Sequence, residues 1–322
     1  MLDLRLARAW GAGAVVLPLI GASETMRKTV AVLVSGLGWH VEDLQRASHR
    51  LDVELLAIPF GEVSARVGSR REIRAGSIDL RAVDGVLVRM MPPGGLEPIV
   101  FRMDALHRLA ASGVPIVNPP RAVEAAVDKY LSLALIDAEG LHVPESWAGQ
   151  SAALAMEVFE AMGGDVIVKP LFGSEGRGLL RVGDRELAWR VFHAIERIGG
   201  VLYLQRVVRH PGFDLRVFVV DGVVLGAMRR SASPGEWRTN VSLGGRAEAC
   251  RLDPSEEEVA IRAARAVGAV VAGVDVVQDL DRNHPVVLEV NAVPGWRAIS
   301  RVTGIDIAAA ILECLVDRGR NR

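Results

Sequence analysis

The sequence predicts an α/β protein in which an amino-terminal parallel α/β domain is followed by an α+β region built on antiparallel strands. Three observations carry this. From Met26 onward, short valine-rich runs alternate with amphipathic segments, the pattern of strands and crossover helices. Past residue 200, apolar runs succeed one another with little more than a turn between them, and Asp221-Gly222 is a strong hairpin signal. Half of the 322 residues are hydrophobic, enough for a substantial buried core.

The elements follow in order. Residues 1–25 stand apart: Arg5 and Arg8 precede the apolar run Trp10–Ile20 and then Gly21-Ala22-Ser23, the arrangement of a signal peptide and too short for a membrane span. Export, a disordered tail and a start at Met26 all remain open readings of this extension. Thr29–Ser35 is a strand, His40–His49 a helix and Val53–Pro59 a second strand. A polar stretch leads to a third strand, Val83–Arg89. Pro98–Ser112 is helical, and Val114–Val117 is a short strand ending at Asn118-Pro119-Pro120. The first domain is therefore 26–119. Arg121–Gly140 reads as one helix, with Ala122, Ala125, Leu131, Leu135 and Ile136 on its core face and Gly140 at its stop. Ala152–Met162 is a further helix. Asp165–Pro170 and Leu179–Val182 are strands around a glycine-bearing loop, and Glu186–Ile198 is a helix. Val201–Val208, Asp214–Val220 and Val223–Arg230 are strands. Pro254–Val267 and Ile305–Asp317 are helices, between which Ala272–Gln278 and Val286–Asn291 form a strand pair.

A net charge of −1, with both signs interspersed, argues against a nucleic-acid partner held by a strong positive field. Cys250 and Cys314 are the only cysteines; they have no metal-type spacing, and a reducing, cytoplasmic location without disulfides is expected. No membrane partner is expected.

Polar residues inside apolar strands carry the chemistry. Strand side chains alternate faces, so Glu289 and Asn291 in VVLEVNAVPG point the same way, and Asp275 sits in the neighbouring run AGVDVVQ. Paired, these strands bring three oxygen ligands together, a set suited to Mg²⁺ or Mn²⁺ with phosphate oxygens completing the shell. The alternative is a carboxylate that caps a turn or pairs with an arginine. Lys169 ends the run DVIVK; it either snorkels to solvent or faces an anion beside Gly173, Ser174, Gly176 and Gly178, whose backbone can bend around phosphate. This loop is not the GxxxxGK[ST] phosphate loop, because no lysine closes it and a strand follows. Asp128-Lys129 on a helix reads as a solvated pair by spacing alone. FDLRVF puts Asp214 and Arg216 on one strand face. Arg229, Arg230, Arg238 and Asn240 follow, either as solvated loop charges or as clamps on phosphate. Arg89 at a strand end either binds a substrate carboxylate or faces solvent, and Trp296 either stacks on a flat ring or fills the core.

In order, Asp128-Lys129, VIVKPLFGSEGRG, FDLRVFVVDG, RR…GEWRTN…GG, GVD, LEVNAVPG and TGIDIA resemble the ATP-grasp superfamily, and within it the RimK-type amino-acid ligases. The resemblance spans about Asn118 to Leu315. It implies a two-lobed fold with ATP between antiparallel sheets, a central lobe at 120–205 and a carboxy-terminal lobe at 206–322. It implies that Lys129 and Lys169 contact the phosphates, that the Gly173–Gly178 loop covers them, and that Gln205, Arg206, Val207 and Val208 form the adenine hinge. Arg206 stands where relatives commonly carry an acid. Asp214 and Arg216 fall at the ribose side and the phosphate or substrate side. Asp275, Glu289 and Asn291 fall at the metal positions, for two Mg²⁺ or Mn²⁺ ions, and Arg238 and Asn240 at the transferred phosphate. The implied reaction is ATP-driven amide formation between a small-molecule carboxylate and an amino acid through an acyl phosphate. The EVNAVPGW ending resembles relatives that attach glutamate to tetrahydromethanopterin. A ligase for another product, an ATP-binding interaction module, and a homo-oligomer are further implications of the family.

Overall fold

The computed structural model describes residues 27–173, 178–233 and 244–320. In chain order the first elements are β1 (Lys28–Val34), α1 (Trp39–Arg50), β2 (Val53–Pro59), β3 (Val63–Arg66), β4 (Glu72–Ala75), β5 (Ile78–Asp79), β6 (Gly85–Val88), α2 (Leu96–Ala111), β7 (Ile116–Val117) and α3 (Pro120–Val127). Then come α4 (Lys129–Ala138), β8 (Ser146–Gly149), α5 (Ala152–Ala161), β9 (Val166–Lys169), β10 (Leu180–Val182), α6 (Arg185–Arg197), β11 (Leu202–Arg206), β12 (Phe213–Val220) and β13 (Val223–Ser231). The last are β14 (Arg246–Ala249), α7 (Pro254–Ala266), β15 (Val271–Asp279), β16 (His284–Asn291), α8 (Arg297–Thr303) and α9 (Ile307–Arg320). Two compact units result. The first contains the described residues of Met1–Val123, Val293–Ser300 and Gly304–Arg322; the second is Glu124–Ala292 with Arg301–Thr303.

The first unit is built on a parallel sheet in the order β2-β1-β6-β7. Val30, Ala31, Val32 and Leu33 in β1 are wholly buried, as a parallel strand covered on both faces requires. The polar stretch between β2 and β6, which showed no clear period, folds as a small antiparallel sheet, β3-β4-β5. Its few apolar side chains, Ile73 and Ala75 among them, join the core formed by β1, β6 and α2. The closing helix α9 also belongs here. Asp306 at its start pairs with Arg46 and Arg50 of α1, and Leu315 packs on β6 at Gly85.

The second unit holds two antiparallel sheets, β10-β9-β11-β8 and β14-β13-β12-β15-β16. Helices α5 and α6 cover the first through Phe159 and Phe192. Helix α7 packs on the second and starts at a capping box, Asp253 with Glu256, with Pro254 in the first turn. The hairpin expected at Asp221-Gly222 joins β12 to β13, with positive φ at both residues (49° and 78°) as its tight turn requires. The single helix expected over Arg121–Gly140 is instead two. Asp128 adopts an extended conformation and its side chain accepts the N–H groups of Tyr130 and Leu131. It therefore stops α3 and caps α4, which puts Lys129 at the first turn of a new helix.

At Gly85, an added Cβ would lie 2.7 Å from Leu315 Cγ, inside a packed core. Gly85→Ala is therefore expected to lower stability by about 1–3 kcal/mol, read as a drop in the urea midpoint. Gly61→Ala, where nothing lies within 4 Å, should stay within about 0.5 kcal/mol of wild type.

Candidate active site

Strands β15 and β16 pair so that Asp275 stands opposite Glu289 and Gly273 opposite Asn291, with a bulge after Asp275. Directly opposed residues share a sheet face, and residues two apart on one strand do as well. Asp275, Glu289 and Asn291 thus lie on one face of the second unit's larger sheet. Asp275 is 4% exposed, while Glu289 is half-buried.

The register of the neighbouring strands decides how these two acids are neutralised. Arg216 on β12 stands opposite Asp275, and Asp214 on β12 stands opposite Arg230 on β13. Arg230 grips Asp214 with two bonds, Nε to Oδ1 at 2.7 Å and Nη2 to Oδ2 at 2.6 Å. Its Nη2 also lies 2.9 Å from Asp275 Oδ2. Arg216 Nη2 donates to Asp275 Oδ2 at 3.0 Å, and its Nε makes a close ionic contact with Oδ1 at 2.5 Å that lacks the direction of a hydrogen bond. Asp214, Arg216, Arg230 and Asp275 are all buried, so each charge depends on the others. Burial pushes Asp275 up, but the Arg216 and Arg230 guanidiniums together outweigh it and hold the carboxyl below its ordinary value.

Glu289 is treated differently. It makes no salt bridge with any of the described residues. Burial first, and then the charge of Asp275, raise its pKa; Arg216, Lys169 and Lys129 oppose the rise from further away.

Those two lysines come from the other part of the unit. Lys169 ends β9, is 9% exposed, and donates to Gln205 Oε1 at 2.6 Å. Gln205, itself buried on β11, donates in turn to Ser146 Oγ at 3.0 Å. This chain of hydrogen bonds fixes the ammonium without neutralising it. Burial lowers Lys169 to about 8, against the pull of Glu289. Lys129 Nζ donates to Gly173 O at 2.8 Å, and burial lowers its pKa as well, again opposed by Glu289.

The remaining expected residues fall as follows. Gly173 (φ 152°) and Gly178 (φ 75°) have the backbone that favours glycine; Ser174 and Gly176 between them lie outside the described residues. Arg238 and Asn240 lie outside them too. Arg206 is exposed and turned to Glu145, with Nε 2.7 Å from Oε2 and its backbone N–H on Glu145 O at 2.9 Å. Val207 and Val208 follow the end of β11, half-buried. Arg230 emerges as the strut that holds Asp214 and Asp275. Its position after two strands marked it as a charge near the site, but only the pairing of β12 with β13 shows that it faces inward. Ser146 and Tyr203, which surround Gln205, carried no sequence signal of their own.

A family model for a RimK-like ATP-grasp domain matches residues 126–315, more than half of the chain. The tetrahydromethanopterin:alpha-L-glutamate ligase of Methanosarcina acetivorans is 35% identical over 268 residues, covering 75% of this chain and 82% of that protein. A probable alpha-L-glutamate ligase of Shewanella pealeana is 34% identical over 245 residues, covering 75% of this chain but only 52% of its own length; this chain spans about half of that relative. Among solved structures, the ATP-grasp ligase PsnB complexed with a phosphomimetic variant of its minimal precursor, Mg and ADP superposes with a TM-score of 0.72. That match covers 91% of this chain and 99% of the other at 22% identity, so it speaks to the fold.

Removing the strut tests the charge network. Arg230→Met leaves Asp214 and Asp275 short of a buried cation and should cost about 3–5 kcal/mol in urea unfolding. The pH dependence has a definite sign. Asp275 is held below its ordinary 3.8, so the stability it contributes is complete above that value and is lost as pH falls through the lower folded value. In Arg230→Met the folded value should move back toward 3.8, so less stability is lost to acid through this group and the acid limb of the stability–pH curve should be shallower than in wild type.

Proposed function

Because this chain belongs to the RimK-like ATP-grasp family and is an ATP-dependent carbon–nitrogen ligase, we propose that it joins the amine of glutamate to the carboxylate of a cofactor or peptide. The observation that carries the reading is Glu289, a half-buried carboxylate without a salt bridge, within electrostatic reach of two partly desolvated lysines. A cluster of this composition is costly when empty and stable when filled by a cation and a polyanion together.

The donor set fits a divalent cation of the hard class. Asp275 and Glu289 offer carboxylate oxygens and Asn291 an amide oxygen on the same face, and no histidine or cysteine intrudes. Among the described residues no third acidic, histidine or cysteine ligand joins the group, so the shell would be completed by phosphate and water, the habit of Mg²⁺. Asp275 Oδ1 has a single close contact and so retains a lone pair. Mg²⁺ held by Asp275, Glu289 and Asn291, as one ion or two, would neutralise charge on the phosphates and orient them.

The protein's own groups then act as follows. Lys169, fixed by Gln205, and Lys129 offer ammonium donors to the phosphate oxygens. Val207 and Val208, with Gln205 before them, present the main chain that reads adenine, and the turning of Arg206 toward Glu145 leaves that edge to the backbone. A substrate carboxylate oxygen attacks the γ-phosphorus; the bond to the β-phosphate oxygen breaks, releasing ADP and leaving an acyl phosphate. The neutral amine of glutamate attacks the acyl carbon, phosphate departs with the bonding pair, and the nitrogen loses a proton to give the amide. Arg216, Arg238 and Asn240 are assigned to the charge that develops on the transferred phosphoryl group. The loop from Gly173 to Gly178 excludes water, which would otherwise hydrolyse the acyl phosphate. For the acid, a tetrahydromethanopterin-type cofactor is favoured, because the relative of that name is similar along 82% of its own length.

Two outcomes test this reading. ADP release should require glutamate and an acid acceptor together, cease with EDTA, and fall at least about 100-fold in Glu289→Gln, the scale of losing an electrostatic partner at a phosphoryl centre. Since Glu289 is burdened by burial in the free protein, the same substitution should leave the melting temperature unchanged or raised. Nucleotide affinity should also depend on pH. Lys169 must be protonated to meet phosphate, so affinity is full below about 8 and falls roughly tenfold for each further unit of pH. Isothermal titration with MgADP between pH 7 and 10 reads this, and Lys169→Met should weaken binding and flatten the slope.

A further inference from the structure

In the first unit's parallel sheet, the strand order β2-β1-β6-β7 places a topological switch point between β1 and β6. The chain leaves β1 toward β2 on one side and leaves β6 toward β7 on the other. Ligands of open parallel sheets are held at the carboxyl ends of strands at such points. Here that edge carries the exposed loop Ser35–Gly38 after β1 and Arg89 directly after β6.

Arg89 is an unusual residue to find there. It is 6% exposed and has no ion pair among the described residues. One nitrogen, Nη1, donates to Pro294 O at 2.9 Å, and the guanidinium lies 4.5 Å over the ring of Trp296. Trp296 is wholly buried, so it is a core aromatic and not a free stacking platform; its indole N–H is satisfied by Asp43 at 2.8 Å. Arg89 is therefore fixed in direction by one carbonyl and one ring, with most of its five donors unused. Its backbone N–H donates to Leu33 O at 3.0 Å, which ties it to the end of β1. Burial alone lowers its pKa to about 10, the mark of a cation that lacks its counterion.

The surroundings define what would satisfy it. His40, in the first turn of α1, packs edge-on against Trp296 at 4.6 Å and is kept neutral, its pKa lowered to about 4 by burial and then by Arg89. Its Nε2 accepts from the Trp296 backbone N–H at 3.3 Å, so the neutral ring carries its proton on Nδ1. The α1 amino end has no side-chain cap and favours negative charge. Leu37 and Met90, in the loops that leave β1 and β6, are exposed apolar residues at the same sheet edge (49% and 55%).

The geometry points to a carboxylate-binding subsite at this switch point, with Arg89 as the fixed cation and an apolar rim for the body of an organic acid. The choice of ligand rests on the ligase reading, in which both joined molecules carry carboxylates: the acid acceptor and glutamate.

The test has a binding arm and a turnover arm, both on the full chain. In ¹⁵N-labelled protein without nucleotide, the Arg89 Nε–H resonance is assigned by its loss in Arg89→Lys. Glutarate or L-glutamate should shift it saturably, while glutaramide and sodium chloride at equal ionic strength should not. An equal shift from glutaramide, no shift from either carboxylate, or a tighter response to inorganic phosphate would overturn the assignment. In turnover, Arg89→Met and Arg89→Lys should raise KM for one carboxylate substrate about 10- to 100-fold, as expected for loss of a charge-assisted bidentate contact, and leave KM for ATP unchanged. Which KM moves tells whether acceptor or glutamate uses the subsite, and unchanged values for both in the folded variants count against it. Should the wild type prove inactive with every acid and amine, the ligase reading falls while the resonance shift still judges the subsite.

Discussion

Two carboxylates set directly opposite each other on neighbouring strands are the constraint around which the second unit is organised. Asp275 and Glu289 are cross-strand partners, an arrangement that is destabilising for like charges and more so away from water. The fold resolves it asymmetrically. Asp275 is given two arginines, and Arg230 is in turn balanced by Asp214, so four buried charges close on themselves. Glu289 forms no ion pair of its own among the described residues, and the positive fields it feels are those of Arg216, Lys169 and Lys129. The protein's own strands thus neutralise Asp275, while Glu289 has no such partner among the described residues.

The backbone explains why this can be held. Antiparallel pairing of β12, β13, β15 and β16 fixes which side chains meet, and a one-residue slip would send Asp214, Arg216, Asp275 and Glu289 to opposite faces. The lysines are fixed by different means. Lys169 is a strand terminus tied to Gln205, and Lys129 is the first residue of a helix that Asp128 restarts. Each cation thus sits on a rigid element, while the glycine-bearing segment that begins at Gly173 supplies the carbonyl on which Lys129 rests.

Much of this was legible in the residues. Alternation alone put Glu289 and Asn291 on one face, and polar residues inside valine-rich strands marked Asp275 and Lys169. The parallel sheet before Pro119 and the Asp221-Gly222 hairpin followed from periodicity and turn chemistry. What escaped was whatever depends on strand order. Alternation names the face of a residue but not its partner, so the grip of Arg230 on Asp214 and Asp275 needed the register. The break at Asp128 was hidden because helical periodicity runs through it, although an Asp at that point is a natural cap. The sheet β3-β4-β5 was hidden for a different reason: its strands are only two to four residues long, too short for a period to stand out. The aromatic Trp296 had two equally plain readings, and its burial beneath Arg89 selects the core.

The most direct test of the central claim is to locate the metal. Crystals grown with Mn²⁺ and ADP, examined for anomalous scattering at the manganese edge, should show a peak within roughly 2.2 Å of a Glu289 oxygen, with a phosphate oxygen completing the shell on the side of Lys169. A manganese site distant from Glu289, or a nucleotide whose phosphates avoid both lysines, would contradict the account.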